Sequence, residues 1–164
     1  MVRTALVLGC CLFTLASCGD DDDSSQSSAP EREPAAATQP DDSPKAKGTT
    51  ITLGDSEFGS MLFDSKKQAI YIFEKDPKGE TVCYDECAEA WPPVYTDGEP
   101  KAGDGVKDAL LGTVKRRDGR LQVTYAGQPL YFYDHEGPGE VRCHNVNLNG
   151  GLWWVVGPSG KRRP

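Results

Sequence analysis

Several things are scarce or missing in this chain, and each absence removes a class of function. Histidine occurs only twice in 164 residues, at His135 and His144. Nothing in the chain resembles a nucleophile or an activated water site, which leaves a general acid–base pair of Asp76 and Glu136 poorly supported, and an enzyme is not expected. Cys143-His144 lacks the upstream cysteine of a haem-attachment motif. The apolar run over 5–16 has about the length of a signal-peptide core and is too short to span a bilayer as a stable helix. Basic residues are outnumbered, 18 against 25, giving a net charge of −7. That balance gives no reason to expect nucleic acid as a partner.

What the first residues do contain reads as an address. Arg3 is the only charged side chain before Asp20. The apolar run ends in Leu15-Ala16-Ser17-Cys18, small residues before a cysteine, the pattern read by a lipoprotein signal peptidase. Residues 1–17 are therefore expected to be removed, with Cys10 and Cys11 leaving in them. The thiol of Cys18 is then expected to carry lipid. Several acyl chains at ~0.8 kcal/mol per CH2 give a lasting membrane anchor. Gly19 rather than Asp follows the anchor, which favours the outer membrane where a cell has two. The segment 18–47 is read as the lipidated cysteine and an acidic linker. Eight acidic and three basic side chains fall within it, with almost no large apolar residue. Such a stretch does not bury enough surface to offset the entropy of ordering it.

The remaining 48–161 is one domain's worth of chain. It matches itself at an offset of 60. Tyr71 pairs with Tyr131, Phe73 with Tyr133, Ile70 with Leu130, Phe63 with Val123 and Cys83 with Cys143. A two-residue slip then brings Trp91 to Trp153 and Val94 to Val156. The repeats run over about 51–97 and 109–158. Two copies are too few for an open solenoid, so they are expected to pack face to face as a pseudo-symmetric pair.

Each repeat has the alternation of strands. Residues 68–73 and 129–133 are rich in β-branched and aromatic side chains. Ile70 and Ile72 fall on one face, Tyr71 and Phe73 on the other. Strands are also expected over 49–53, 60–64 and 152–156. A hairpin is expected from 111–117 to 120–125 around Asp118-Gly119. One short helix is predicted over 84–90, stopped by Trp91-Pro92-Pro93. The fold expected is mainly β, two pseudo-symmetric repeats packed as a sandwich or barrel-like domain.

Three cysteines remain in the domain, Cys83, Cys87 and Cys143. Outside the cytoplasm thiols pair, and the residues alone leave two pairings open, Cys83–Cys87 within a helical turn or Cys83–Cys143 across the repeats. A sharper reading joins Cys83, Cys87, Cys143 and His144 as a zinc or copper site. Neighbouring Cys143 and His144 would face opposite ways on a strand, which counts against it. His135, between Asp134 and Glu136, reads as a solvated surface histidine. Trp91, Trp153 and Trp154 read first as packing, with one of the adjacent pair exposed as a possible binding patch.

Tyr71-Ile72-Phe73-Glu74-Lys75-Asp76, then Cys83-x3-Cys87 and Trp91-Pro92-Pro93, resembles the secreted-repeat lipoproteins, which carry a Tyr-x-(Phe/Trp/Tyr)-x-x-Asp motif in tandem copies. The second copy is Tyr131-Phe132-Tyr133-Asp134-His135-Glu136, and 150–156 matches the closing segment. The resemblance implies the pairing Cys83–Cys87 and an extracytoplasmic lipoprotein, but no activity. Two departures stand out. Glu136 replaces the second motif's Asp, which puts a single strict role for that carboxylate in doubt, and Cys143-His144 replaces more usual residues.

Physically the motif reads as architecture, a turn carboxylate accepting amide or tyrosine hydrogen bonds. The rival reading is a ligand site lined by Tyr71, Tyr131, Asp76 and Glu136, with Phe73, Tyr133, Trp91 and Trp153 beside it. The sequence thus points to an envelope-anchored lipoprotein. It would present a non-enzymatic repeat domain, without cofactor, to an envelope protein or small ligand. The alternative is a copper- or zinc-binding or redox accessory protein of the envelope.

Overall fold

The structure, a computed structural model, describes residues 47–164. The expected leader, the lipidation site Cys18 and all of the linker but Lys47 lie outside the described residues. In chain order the strands are β1 (Thr50–Ser56), β2 (Gly59–Asp64) and β3 (Tyr71–Phe73), followed by the helix α1 (Glu86–Ala90). Then come β4 (Tyr95–Thr96), β5 (Lys101–Ala102), β6 (Leu111–Lys115), β7 (Leu121–Tyr125), β8 (Gln128–Pro129), β9 (Val146–Leu148) and β10 (Gly151–Val155). A 3-10 turn, Asp108–Leu110, leads into β6.

The strands form three small sheets, ordered β2-β1-β5, β3-β10-β9 and β4-β7-β6 with β8 on β7. The domain is mainly β, as expected, and no sheet closes into a barrel. Each repeat opens with a hairpin, β1–β2 in the first and β6–β7 in the second. The second hairpin turns over three residues rather than two. Arg116 N–H bonds the Arg120 carbonyl at 2.9 Å, and Gly119 takes the left-handed position at φ 85°. Glycine there avoids the Cβ penalty of a positive φ.

Between the hairpins the repeats meet. Tyr71 and Tyr131, equivalent residues, exchange both backbone hydrogen bonds, N to O at 2.9 and 3.0 Å. On either side the same pattern recurs with the repeats interchanged. Tyr71 lies opposite Val155, and Tyr131 opposite Pro93. Glu74 N–H bonds the Leu152 carbonyl, and Asp134 N–H bonds that of Ala90. A pseudo-two-fold axis therefore passes between the two tyrosines.

The period-two alternation sorts this central layer into two cores. Tyr71, Phe73, Tyr131, Trp91 and Trp153 join one cluster; Ile70, Ile72, Leu130, Val94 and Val156 join the other. The first is aromatic. Trp91 and Trp153 are fully buried and stack on each other, ring centroids 3.8 Å apart and planes 2° apart. Tyr71 meets Trp91 edge-on at 5.4 Å, and Tyr131 meets Trp153 edge-on at 5.2 Å. Phe73 stacks on Trp153, and its counterpart Tyr133 tilts against Trp91. Each buried indole removes ~150–250 Å² from water, roughly 4–6 kcal/mol before entropy is counted.

The structure corrects the reading of the sequence at several points. Phe63 does not correspond to Val123. Leu62 does, since Leu62 N–H bonds the Val156 carbonyl while Val123 N–H bonds that of Val94. The turn following β2 is one residue longer than that following β7, so the offset is 61 before it and 60 after. The helix is Glu86–Ala90 rather than 84–90, because Asp85 takes φ 52° and cannot extend it. The expected strand over 68–73 shortens to β3, and that over 129–133 leaves only Pro129 in β8 and Tyr131 in isolated bridges. Strands β4, β5 and β9 went unforeseen, being too short for alternation to mark them.

The Trp91–Trp153 stack sits on the axis and should dominate stability. Trp153→Ala is expected to cost about 3–5 kcal/mol in urea denaturation. A loss below 1 kcal/mol would show that the stack is not the core.

Candidate functional site

The tyrosines that pair through their backbones cross over through their side chains. The Tyr71 hydroxyl, in the first repeat, donates to both carboxylate oxygens of Glu136, in the second, at 2.7 and 2.9 Å. Tyr131, in the second repeat, donates to Asp76 Oδ2, in the first, at 2.6 Å. Each carboxylate also caps its own loop. Asp76 Oδ1 accepts the Val82 N–H at 2.8 Å, and Glu136 Oε1 accepts the Arg142 N–H six residues on in the same way. Asp76 and Glu136 themselves sit in turns closed by their N–H groups on the carbonyls of Phe73 and Tyr133. Glu136 thus makes the bonds expected of an Asp, its extra methylene notwithstanding. The departure from the motif does not change the role.

These four side chains do not line an open ligand site. Tyr71 and Tyr131 are wholly buried, and Asp76 and Glu136 are 5% and 8% exposed. Their polar atoms are spent on each other and on loop amides. Burial pushes both carboxyls above the usual carboxylate range, against the hydrogen bonds from Tyr131 and Tyr71 that pull them down. Burial, and the facing carboxylates, push the two tyrosines well above the normal phenol range. Phe73, Trp91 and Trp153 are also buried and make no surface for a ligand. Tyr133 is only partly buried; it and the edge of Glu136 line a cavity of about 300 Å³ with Asp64 and Asp134. Trp154, not Trp153, is the partly exposed member of the adjacent pair.

The two halves of the clamp differ in their surroundings. On the Asp76 side Tyr131 also bonds Thr81, and Thr81 bonds the Nη1 of Arg116. Arg116 is 4% exposed and donates to Gln122 Oε1 and to the Cys83 carbonyl, both at 2.7 Å. Its charge favours the ionised form of Asp76. Sequence reasoning missed Arg116, Thr81 and Gln122. Arg116 stands beside Arg117, Asp118 and Arg120 at a hairpin tip, where charges are ordinarily solvated.

On the Glu136 side the buried neighbour is Cys143. Cys83 and Cys87 are bonded to each other, the pairing implied by the resemblance, and Cys143 is a free, buried thiol. The alternative Cys83–Cys143 bond is not formed. The four-residue metal set is not assembled either. Two of its sulfurs are tied up in the disulfide, and His144 turns away to Phe58 and Trp154. Among the described residues no group of three metal-ligating side chains converges. Burial and the Glu136 charge push the Cys143 thiol up to about 11, so it is protonated at neutral pH and a poor nucleophile. His135 is solvent-exposed beside Asp134.

The model of a lipoprotein family described as a secreted repeat of unknown function matches residues 52–95 and 112–157, more than half of the chain. The chain belongs to that family of secreted repeats. The two matched segments fall within the two units related by the axis between Tyr71 and Tyr131. No curated protein and no solved structure matches the chain. A secreted repeat fits an extracytoplasmic location, and so does a disulfide. Among the described residues no helix is long and apolar enough to cross a membrane.

The crossed bonds can be measured in this secreted-repeat domain. A double-mutant cycle of Tyr71→Phe and Glu136→Leu is expected to give a coupling of about 1–3 kcal/mol, since either single change removes the bond and leaves its buried polar partner without it. A coupling near zero would show that the bond is idle. The pH dependence has a definite sign. A carboxyl raised in the folded state binds its proton more tightly there than when unfolded. Its contribution is therefore largest below the unfolded value, about 4.3 for Glu, and is lost as pH rises through the folded value. The melting temperature of wild type relative to Glu136→Gln should fall over that interval; a rise would reverse the assignment.

Proposed function

We propose that this protein is an envelope lipoprotein, tethered through lipid on Cys18, whose repeat domain serves as a rigid non-enzymatic module for binding or structural interaction. One observation carries the reading. The motif that defines the chain's repeats, Tyr71 to Asp76 and Tyr131 to Glu136, is consumed in joining one repeat to the other. Its carboxylates are bonded to tyrosine hydroxyls and loop amides, and only the edge of Glu136 reaches a surface cavity. The motif is architecture, and function falls to the surface that the architecture holds in place. The acidic, apolar-poor segment 19–47 suits a spacer between lipid and domain.

The tether is tested by fractionation. Exchange of residues 1–18 for a secretory leader whose removal leaves no cysteine is expected to move the protein from the membrane pellet to the soluble extracytoplasmic fraction, with an unchanged domain melting temperature. Retention of the variant in the pellet after a salt wash would remove the lipid anchor from the reading.

A further inference from the structure

The pseudo-two-fold relates not only the core but two surface cavities. Ile72, Lys78 and Gln128 line one of about 580 Å³. Their counterparts at offset 60, Phe132, Pro138 and Gln68, line the other, of about 300 Å³. The duplicated walls have diverged in charge. The smaller cavity has Asp64, Asp134 and Glu136 against Lys66. The larger has Lys78, Lys161 and Arg162, and no carboxylate lines it. Among the described residues none of these three cations is in an ion pair. The domain as a whole carries more acidic than basic side chains, so the clustering runs against composition.

The extra wall is held firmly. Residues beyond Val156 fold back, with Gly157 N–H on the Lys161 carbonyl at 2.9 Å and Arg163 N–H on that of Val155 at 3.0 Å. Arg163 Nε then donates to the Phe58 carbonyl at 2.8 Å. At Gly160, φ is 78° and a Cβ would lie 2.3 Å from that of Ala126, so the fold-back sits directly against the β7–β8 turn. Arg162 lies over the Trp154 indole at 4.6 Å, which orients its guanidinium while leaving its edge to donate. Trp154 pairs with Ile72, and its own ring N–H is buried without a partner.

We propose that this cavity binds the phosphate of a phosphomonoester, with the organic part resting on Ile72 and the lysine stems. Three unpaired cations suit a dianion better than a monocarboxylate. The volume far exceeds a phosphate ion and leaves room for a glycerol- or sugar-sized body. The inference rests on the reading of the domain as a binding module and names what this part of its surface takes.

The test uses the mature chain from residue 19 onward, which lacks both the leader and Cys18, so that vesicle association runs through neither an apolar segment nor an acyl chain. Calorimetric titration with glycerol 3-phosphate is one arm. Cosedimentation with phosphatidic acid vesicles, against phosphatidylcholine vesicles, is the other. Binding in the first arm points to a free phosphate ester, and binding only in the second points to a lipid headgroup. In either arm Lys161→Ser with Arg162→Ser is expected to weaken binding at least tenfold. The single exposed change Lys78→Ala should weaken it severalfold, with no change in melting temperature. Lys66→Ser, at the symmetry-related cavity, should leave it unaltered, and raised salt should weaken it. No binding in both arms, or binding indifferent to these substitutions, overturns the proposal. Because the tether is read from fractionation and the cavity from titration, either can fail while the other stands.

Discussion

Everything in this domain hangs on a hydrogen-bond exchange between two equivalent tyrosines. Tyr71 and Tyr131 pair through their backbones on the pseudo-axis, then send their hydroxyls past each other to the opposite repeat's carboxylate. A buried carboxylate without partners costs several kcal/mol, as does a buried tyrosine hydroxyl in smaller measure. Neither repeat meets these needs alone. Its tyrosine lacks an acceptor, and its turn carboxylate, bonded to an amide of its own loop, lacks the hydroxyl donor until the second repeat arrives. The stacked indoles of Trp91 and Trp153 impose the same dependence through apolar surface, since each covers the other.

Around this shared frame the repeats have separated in character. The first holds a disulfide where the second has the single thiol Cys143. A ring of five residues removes only modest unfolded-state entropy, about 2 kcal/mol on the chain-entropy account, so it fixes a local loop more than the domain. The first carboxylate has the buried Arg116 within reach of its field, while the second has only the exposed Arg142 and relies chiefly on hydrogen bonds. Arg116 is held by Thr81, Gln122 and the Cys83 carbonyl, yet its Nε stays unpartnered. A buried guanidinium without a direct carboxylate is costly in itself. What offsets it is the Asp76 carboxyl beyond Tyr131, together with the face of Tyr84 at 4.4 Å.

Much of the frame was legible beforehand because repetition and alternation are strong signals. The offset of 60 located Tyr71 against Tyr131 and both motif carboxylates, and the slip to 62 located Trp91 against Trp153. Period-two patterning separated Ile70 and Ile72 from Tyr71 and Phe73 onto the two cores they occupy. What sequence could not carry was which repeat each hydroxyl would reach, because a tyrosine and an acid five residues apart look like local partners. The crossing arises only once the two strands lie antiparallel. Leu62 and Phe63 were confused because one extra turn residue shifts the offset, and alternation then assigns the wrong face. Arg116 carried no signal at all, since a charge near a turn is solvated in most proteins and only packing distinguishes the exception; Lys161 and Arg162, both exposed, read as ordinary surface charges until the fold-back set them beside Lys78.

The reciprocity of the tyrosine–carboxylate bonds sets a rule of parity. A unit that lends its hydroxyl to a neighbour and borrows that neighbour's acid is complete only in twos. A lone unit would be satisfied by a second copy of itself, as a symmetric homodimer. By the same count a chain with three such units would leave one tyrosine and one carboxylate unmatched, so longer arrays built on this bond grow by pairs, or close by association between chains.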